Sequence, residues 1–436
     1  MNVRLNDYNV YKDGIRNDAD FINQAILDCY NSGGGYVYVE GIHMSGSIEL
    51  LDNVYLYLKE GAKIILSNNL EDFYNINDSR DTSINRPTWE NCEYNGKPSK
   101  YFIYAVNKVN CGILGEGTIN GNQEIFYGNI TKWHIEGAFY PRIPLIYFEG
   151  CSNIKFEGVT LEKSAFWTVH LVGCNKVLID GLNINNDLRM VNSDGIDPDH
   201  CKDVVIKNCN INASDDCIDF KTTEAFKKYG ACENILVDNC NLMSTSAAIK
   251  FGTESVSDFK NININNCIIK GSNRGISLML RDEGNISDIT FNNIKIETRR
   301  FSPINWWGKA EAIALTAVKR KQGVTVGNIN NVVFNDISAT CENGILIYGE
   351  KHSNISNIKF NNIMLGIADE TDWEKKGIDL RPSEYGILDG KTFVININNA
   401  SNIVLNDFDY VVDDDINIED EIIINNSSVD INYVEY

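Results

Sequence analysis

Residues 202–211 read KDVVIKNCNI, residues 233–242 read ENILVDNCNL and residues 260–269 read KNININNCII. Apolar side chains alternate with polar ones in each stretch, the period of a strand with one buried face. The same decamer pattern appears earlier as SNIKFEGVTL (152–161) and NKVLIDGLNI (175–184). It appears later as SDITFNNIKI (287–296), NNVVFNDISA (330–339), SNIKFNNIML (356–365) and SNIVLNDFDY (401–410). The second residues of successive copies lie 23, 27, 31, 27, 27, 43, 26 and 45 positions apart.

A second strand family falls between these copies: DGIDP (194–198), DCIDF (216–220), AAIKF (247–251), RGISL (274–278), EAIAL (311–315) and NGILI (343–347). Alignment on the central isoleucine places Ile196, Ile218, Ile249, Ile276, Ile313 and Ile345 in one column. Pro198, Phe220, Phe251, Leu278, Leu315 and Ile347 form a second apolar column two residues on. Both columns are expected to face a core. The column between them holds Asp197, Asp219, Lys250, Ser277, Ala314 and Leu346 and is expected to face outward, its first three members being charged. Two strand families in every period of 22–37 residues describe the coils of a parallel β-helix, an all-β solenoid. Leucine-rich repeats lack support because the Leu consensus is missing, and propeller blades need longer periods and hairpin turns.

In stacked coils, equivalent residues sit about 4.8 Å apart. That spacing accounts for most of the 12 cysteines. Cys209, Cys240 and Cys267 share one repeat position, and Cys151, Cys174, Cys201 and Cys232 share another, as small apolar ladder residues. Asn208, Asn239, Asn266 and Asn293 read as an Asn ladder at a bend. An amphipathic helix from about Asp18 to Tyr30, with Asp18 as N-cap and Gly33–Gly35 as its stop, is expected to cover the open end of the stack. The acidic stretch from Asp413 to Glu421 is expected to protect the other end. The repeat predicts a single domain over 1–436, with the cap helix within about 15–35 and an inserted loop at about 295–312.

The 436-residue chain carries 39 Lys+Arg against 60 Asp+Glu, a formal net charge of −21. That balance argues against nucleic acid and against an anionic membrane surface as partners. No apolar run reaches transmembrane length. Unpaired ladder cysteines and the absence of a leader-like N-terminal stretch predict a cytoplasmic protein, or a secreted one whose signal has been removed.

Acidic residues crowd two stretches, NSDGIDPDH (192–200) and SDDCID (214–219). Asp194 and Asp216 fall in one column, with Asp215 alongside, so the coil register predicts three neighbouring carboxylates. Mutual repulsion among them raises at least one pKa and leaves a protonated acid beside ionised bases, the pairing that glycoside hydrolysis requires. A solvated acidic face and a Ca²⁺ site are the alternatives, carboxylate oxygens being suited to that ion.

NSDGIDPDHCKDVVIKNC followed by SDDCIDFK resembles the "NTD … DD" signature of glycoside hydrolase family 28, the polygalacturonases and their relatives. The stretch from GGGYVYVEG (33–41) resembles the N-terminal coils of that family. GILGEGTINGN (112–122) resembles its GxGTIDGxG segment, and SAFWTVHLVGC (164–174) its SPxWTxH stretch. The resemblance implies a right-handed parallel β-helix and an inverting mechanism without metal or organic cofactor. Carried over, Asp215 is the general acid, and Asp194 and Asp216 activate water as general base. The chain departs from the family at two motifs. The place of "GHG" is Ser246-Ala247-Ala248, without His, and the place of "RIK" is Ser277-Leu278-Met279. In the family that Arg and Lys hold a galacturonate carboxylate.

Arg274 and Arg281 flank the altered motif and are candidates to replace it, or pair with the acidic wall instead. Lys221, Lys250 and Glu254 are placed to reach the same face, or serve structure. Trp306 and Trp307, within RRFSPINWWGKAEAIAL, form a candidate sugar platform, although one ring could equally anchor the loop. Trp167 reads as core. His170 and His200 lie near the acidic motifs, as neighbours of the catalytic groups or as packed side chains. The predicted partner is an oligosaccharide. The acidic balance and altered motifs point away from bulk pectin toward a short or less acidic glycoside trimmed by exo action. A lyase or epimerase on the same fold and a glycan-binding β-helix are the competing classes.

Overall fold

The computed structural model describes residues 2–73, 100–137, 142–352, 354–414, 416, 418 and 421–432. It comprises two compact units, Met1–Ser214 and Asp215–Tyr436.

In the first unit the helix Ala19–Asn31 buries Ala19, Ile22, Ala25, Ile26 and Cys29 against the first strands. Its end is set as expected: Gly33 and Gly34 have positive φ, and the Gly34 N–H donates to the Cys29 carbonyl. Its start differs. Asp18 stands at the N-cap but makes no side-chain cap bond. Its carboxylate instead accepts the Tyr11 and Lys12 N–H groups and bonds His43 Nδ1 at 2.7 Å. Asn17 accepts the Ala19 N–H in its place.

In the copies at 152–161, 175–184 and 202–211 each decamer is two strands with a bend between them, so these coils have three faces. Ser152–Glu157, Asn175–Asp180 and Lys202–Lys207 pair in parallel on one face, and Thr160–Glu162, Asn183–Asn185 and Asn210–Ala213 on the next. Gly158, Gly181 and Asn208 make the corners, each with φ between 56° and 73°. The third face is Ile48–Glu49, Ile103–Val106, Ile146–Glu149, Val169–Val172 and Ile196–Asp199, all parallel.

In the second unit the copies at 233–242 and 260–269 are likewise two strands, whereas the later copies run within the single strands Ile286–Thr298, Ile329–Cys341, Ile355–Ile367 and Ala400–Val412. Ile218, Ile249, Ile276, Ile313, Ile345, Ile395 and Ile422 stand in register. Phe291, Phe334 and Phe360 stack at 4.7 and 4.8 Å, the spacing of adjacent coils. At the bends, Asn239, Asn266 and Asn293 have φ of 52–55°, and Asn293 donates to Asn266 Oδ1. The preceding column is a longer ladder, in which Asn292 donates to Asn265, Asn335 to Asn292, Asn361 to Asn335 and Asn406 to Asn361 at 2.7–2.8 Å. The eleven described cysteines are all buried.

One expectation is corrected. Asp197, Asp219, Ser277, Ala314 and Leu346 point out of the coil but are buried, not solvated. In the second unit, Ala314 and Leu346 pack with Val318, Ile378, Leu380 and Phe393 in an outer apolar layer. This layer comes from segments outside the repeat, which cover the sheet where the column alone would leave it bare. The expected acidic cover at the far end includes residues 415, 417, 419 and 420, which lie outside the described residues.

Candidate active site

The first unit supplies Asp194 on the loop 190–195, between Asn183–Asn185 and Ile196–Asp199. The loop is held from three sides. Arg142, a fully buried guanidinium, donates to the Val191 carbonyl at 2.7 Å and to Asn192 Oδ1 at 2.9 Å, with Phe166 beneath it at 4.9 Å. Asn186 donates to the Ser193 carbonyl and to Thr168 Oγ1 and accepts the Ser164 N–H. Ser193 and Ser214 share a hydroxyl hydrogen bond of 2.6 Å. The Thr168 N–H donates to the Asp194 carbonyl. Asp194 is thereby presented by a loop tied down through its backbone and side chains.

Asp199 gathers both histidines named from the sequence. His170 Nε2 lies 3.3 Å from Oδ2, and His200 Nε2 lies 3.7 Å from Oδ1. All three side chains are buried, and the edge contacts of His170 with Tyr147 and Trp167 make it a packed residue. Trp167 is core, as expected.

The second unit begins with Asp215 and Asp216. Asp215 is half-buried, and its carbonyl accepts the Ser244 hydroxyl. Asp216 is fully buried. Its Oδ1 accepts the Ala247 N–H at 2.9 Å and its Oδ2 accepts Lys250 Nζ at 2.5 Å. Burial opposes its charge, but Lys250 and Lys221 outweigh burial and hold the carboxyl below the usual range. Lys250 Nζ also lies 3.2 Å from Asp219 Oδ2, the oxygen that Lys221 engages as well. Lys221 is 3.6 Å from Glu254. Burial pushes Asp219 up to about 7 despite these lysines, whereas the two carboxylates raise Lys250 against its own burial. Lys221, Lys250 and Glu254, all named from the sequence, thus form one network with Asp216 and Asp219.

The two arginines named from the sequence are committed elsewhere. Arg274 is buried in a bidentate pair with Glu311 and donates to the Asp379 carbonyl at 2.9 Å. Arg281 is buried among the carbonyls of Leu280, Thr316 and Leu380, and burial, with Arg320 and Arg274 nearby, lowers it to about 9. Trp306 and Trp307 are half-exposed on the inserted loop. Asn273 holds the Trp307 carbonyl at 2.6 Å, Asp379 accepts the Gly308 N–H, and Arg381 lies 5.7 Å from the Trp307 ring.

The profile described as Glycosyl hydrolases family 28 matches residues 50–383. The chain belongs to glycoside hydrolase family 28. A probable polygalacturonase of Vitis vinifera is 29% identical over 213 residues, 47% of this chain and 40% of that protein, so the match spans less than half of the relative. An endo-polygalacturonase of Pectobacterium carotovorum is 22% identical over 351 residues, covering 78% of this chain and 81% of that one. The Yersinia enterocolitica family 28 exopolygalacturonase superposes with a TM-score of 0.73 at 16% identity, covering 100% of this chain and 79% of that structure. That likeness establishes the fold, a right-handed parallel β-helix.

Set on the family pattern, the altered motifs are filled without cations. Ala247, at the place of the His, is buried and offers Asp216 only its backbone N–H. Ser277 and Met279, at the places of the Arg and Lys, are buried, and Met279 Sδ lies 3.7 Å from Arg274 Nη1. Sequence reasoning missed Arg142 and Asn186, which lie outside the aligned columns. Pairing of Asp219 with Lys250 was closer to hand, because the register sets these residues side by side.

Proposed function

We propose that this chain is an inverting glycoside hydrolase that trims a pectin-type or related oligosaccharide from one end. Asp215 acts as general acid on the leaving oxygen, and Asp194 and Asp216 direct an attacking water. The observation that carries the reading is the differing environment of adjacent carboxylates inside a family 28 sequence. Asp216 is anchored at both oxygens and held ionised, while Asp215 is half-buried with its backbone fixed by Ser244. One carboxyl suited to keeping a charge next to one with access to substrate is what an acid–base division of labour needs.

Exo action draws support from the exopolygalacturonases among the relatives. Burial and pairing of Arg274 and Arg281 support a first-bound sugar whose carboxylate, if any, is not read by those two arginines.

The test is a screen of oligogalacturonides and other plant oligosaccharides for new reducing ends, followed by NMR of the first-formed anomer. Asp215→Asn is expected to reduce turnover by about 100- to 10,000-fold while binding persists. Full turnover by Asp215→Asn removes the acid assignment. A product with an unsaturated, ultraviolet-absorbing ring replaces hydrolysis with elimination, and products of intermediate length from mid-chain cuts remove exo action.

A further inference from the structure

Asp216 is fully buried, and a carboxyl placed there alone would take up a proton. A general base must do the opposite and keep its charge until water delivers a proton. The Ala247 N–H satisfies Oδ1, but a neutral amide leaves the charge uncompensated. The Ala247 side chain has no donor, and this is where family 28 carries its His.

The compensating charge comes from three residues further along the same strand. Lys250 Nζ donates to Asp216 Oδ2 at 2.5 Å, and its side chain is almost wholly buried. An ammonium at that depth would ordinarily lose its proton. Asp216 itself opposes this most, and Asp219 adds to it, with Oδ2 3.2 Å from the same nitrogen. Asp219 is partnered in turn by Lys221, which lies 3.6 Å from Glu254. The charged groups set around Lys250 in this unit are Asp215, Asp216, Asp219 and Lys221, with Glu254 beyond Lys221. Lys250 is held between two carboxylates, so its ammonium is already committed and is not offered to a substrate carboxylate.

We propose that Lys250 is a positioning residue that keeps Asp216 ionised, taking over by side-chain charge a duty for which Ala247 has no side-chain donor. Its catalytic consequence rests on the hydrolase reading above; the ionisation itself does not. In the step concerned, an O–H bond of water breaks and its proton passes to the Asp216 carboxylate. The water oxygen bonds the anomeric carbon, the glycosidic C–O bond breaks, and the leaving oxygen takes the Asp215 proton. If Asp216 were already protonated, that step would lose its acceptor.

Two measurements test the proposal, with an oligogalacturonide as the kinetic probe. In the first, Lys250→Met should move the acidic limb of the kcat/KM profile upward by about one pH unit or more, the direction of a base whose counter-charge is gone. Lys250→Arg should bring the limb back toward wild type. An unmoved limb in folded Lys250→Met overturns the proposal. The second needs no activity: a thermal-unfolding cycle of Lys250→Met, Asp216→Asn and the double variant near neutral pH. Lys250→Met should lower the melting temperature, and adding Asp216→Asn should recover part of the loss by removing the stranded charge. Additive losses overturn the proposal. Coupling together with an absence of turnover upholds the charge placement and removes the hydrolase reading, so the two failures are separable.

Discussion

Arg274 and Glu311 meet in a bidentate ion pair, Nε to Oε2 at 2.8 Å and Nη2 to Oε1 at 3.0 Å, with both side chains buried. Burial works against Glu311, but Arg274 more than compensates and holds it below the usual carboxylate range. Glu311→Gln leaves a buried guanidinium without its counter-charge and should cost about 3–5 kcal/mol in chemical unfolding. A substrate contact at Arg274 would show the reverse: a raised KM at unchanged stability.

Arg142 ties the carbonyls of Val191 and Ala165 and the Asn192 side chain into one cluster beside Asp194. Arg142→Lys keeps the charge but loses the planar fork. It should lower kcat by about tenfold or more with a smaller change in KM, because a displaced Asp194 affects the reacting geometry more than binding. Steady-state kinetics separate the two, and circular dichroism checks that the variant is folded.

Asp219 is raised to about 7 by burial, against an ordinary unfolded value near 3.8. Between those values the folded state holds the proton that the unfolded state has released, so stability falls as pH rises. The contribution is fully present below about pH 4 and is lost as pH passes through about 7. Melting temperatures from about pH 5 to pH 8 should decline, and Asp219→Asn should flatten that decline. An unchanged slope in Asp219→Asn counts against this assignment.

Trp306 and Trp307 are half-exposed on a loop that Asn273 and Asp379 anchor through the backbone of Trp307 and Gly308. Trp306→Ala should raise KM for an oligosaccharide about two- to tenfold with little change in melting temperature. Trp307→Ala should lower stability as well, because its ring faces Arg381. Unchanged KM in both variants would reduce the loop to a structural role.

The fold was legible because a solenoid turns sequence period into spatial neighbourhood. The repeat column Ile249, Ile276, Ile313 and Ile345 is the register the strands adopt. The Cys and Asn columns follow from the same rule, since a residue type that suits a corner or a core slot suits it again one coil later. Resemblance at the two Asp motifs was legible too, because family 28 carries its chemistry on short contiguous segments.

Burial of the outward column could not be read that way. Ala314 and Leu346 are covered by Ile378, Leu380 and Phe393, which belong to no repeat. Nor does a repeat say whether Arg274 meets solvent or Glu311, or that Arg142 secures a loop about fifty residues later. Period and alternation are local properties, and the sequence alone determined the coil, its register and its acidic motifs through them. Which polar groups lose water, and therefore which charges need a partner and which pKa values move, depends on segments distant in sequence, and only the tertiary structure decided that.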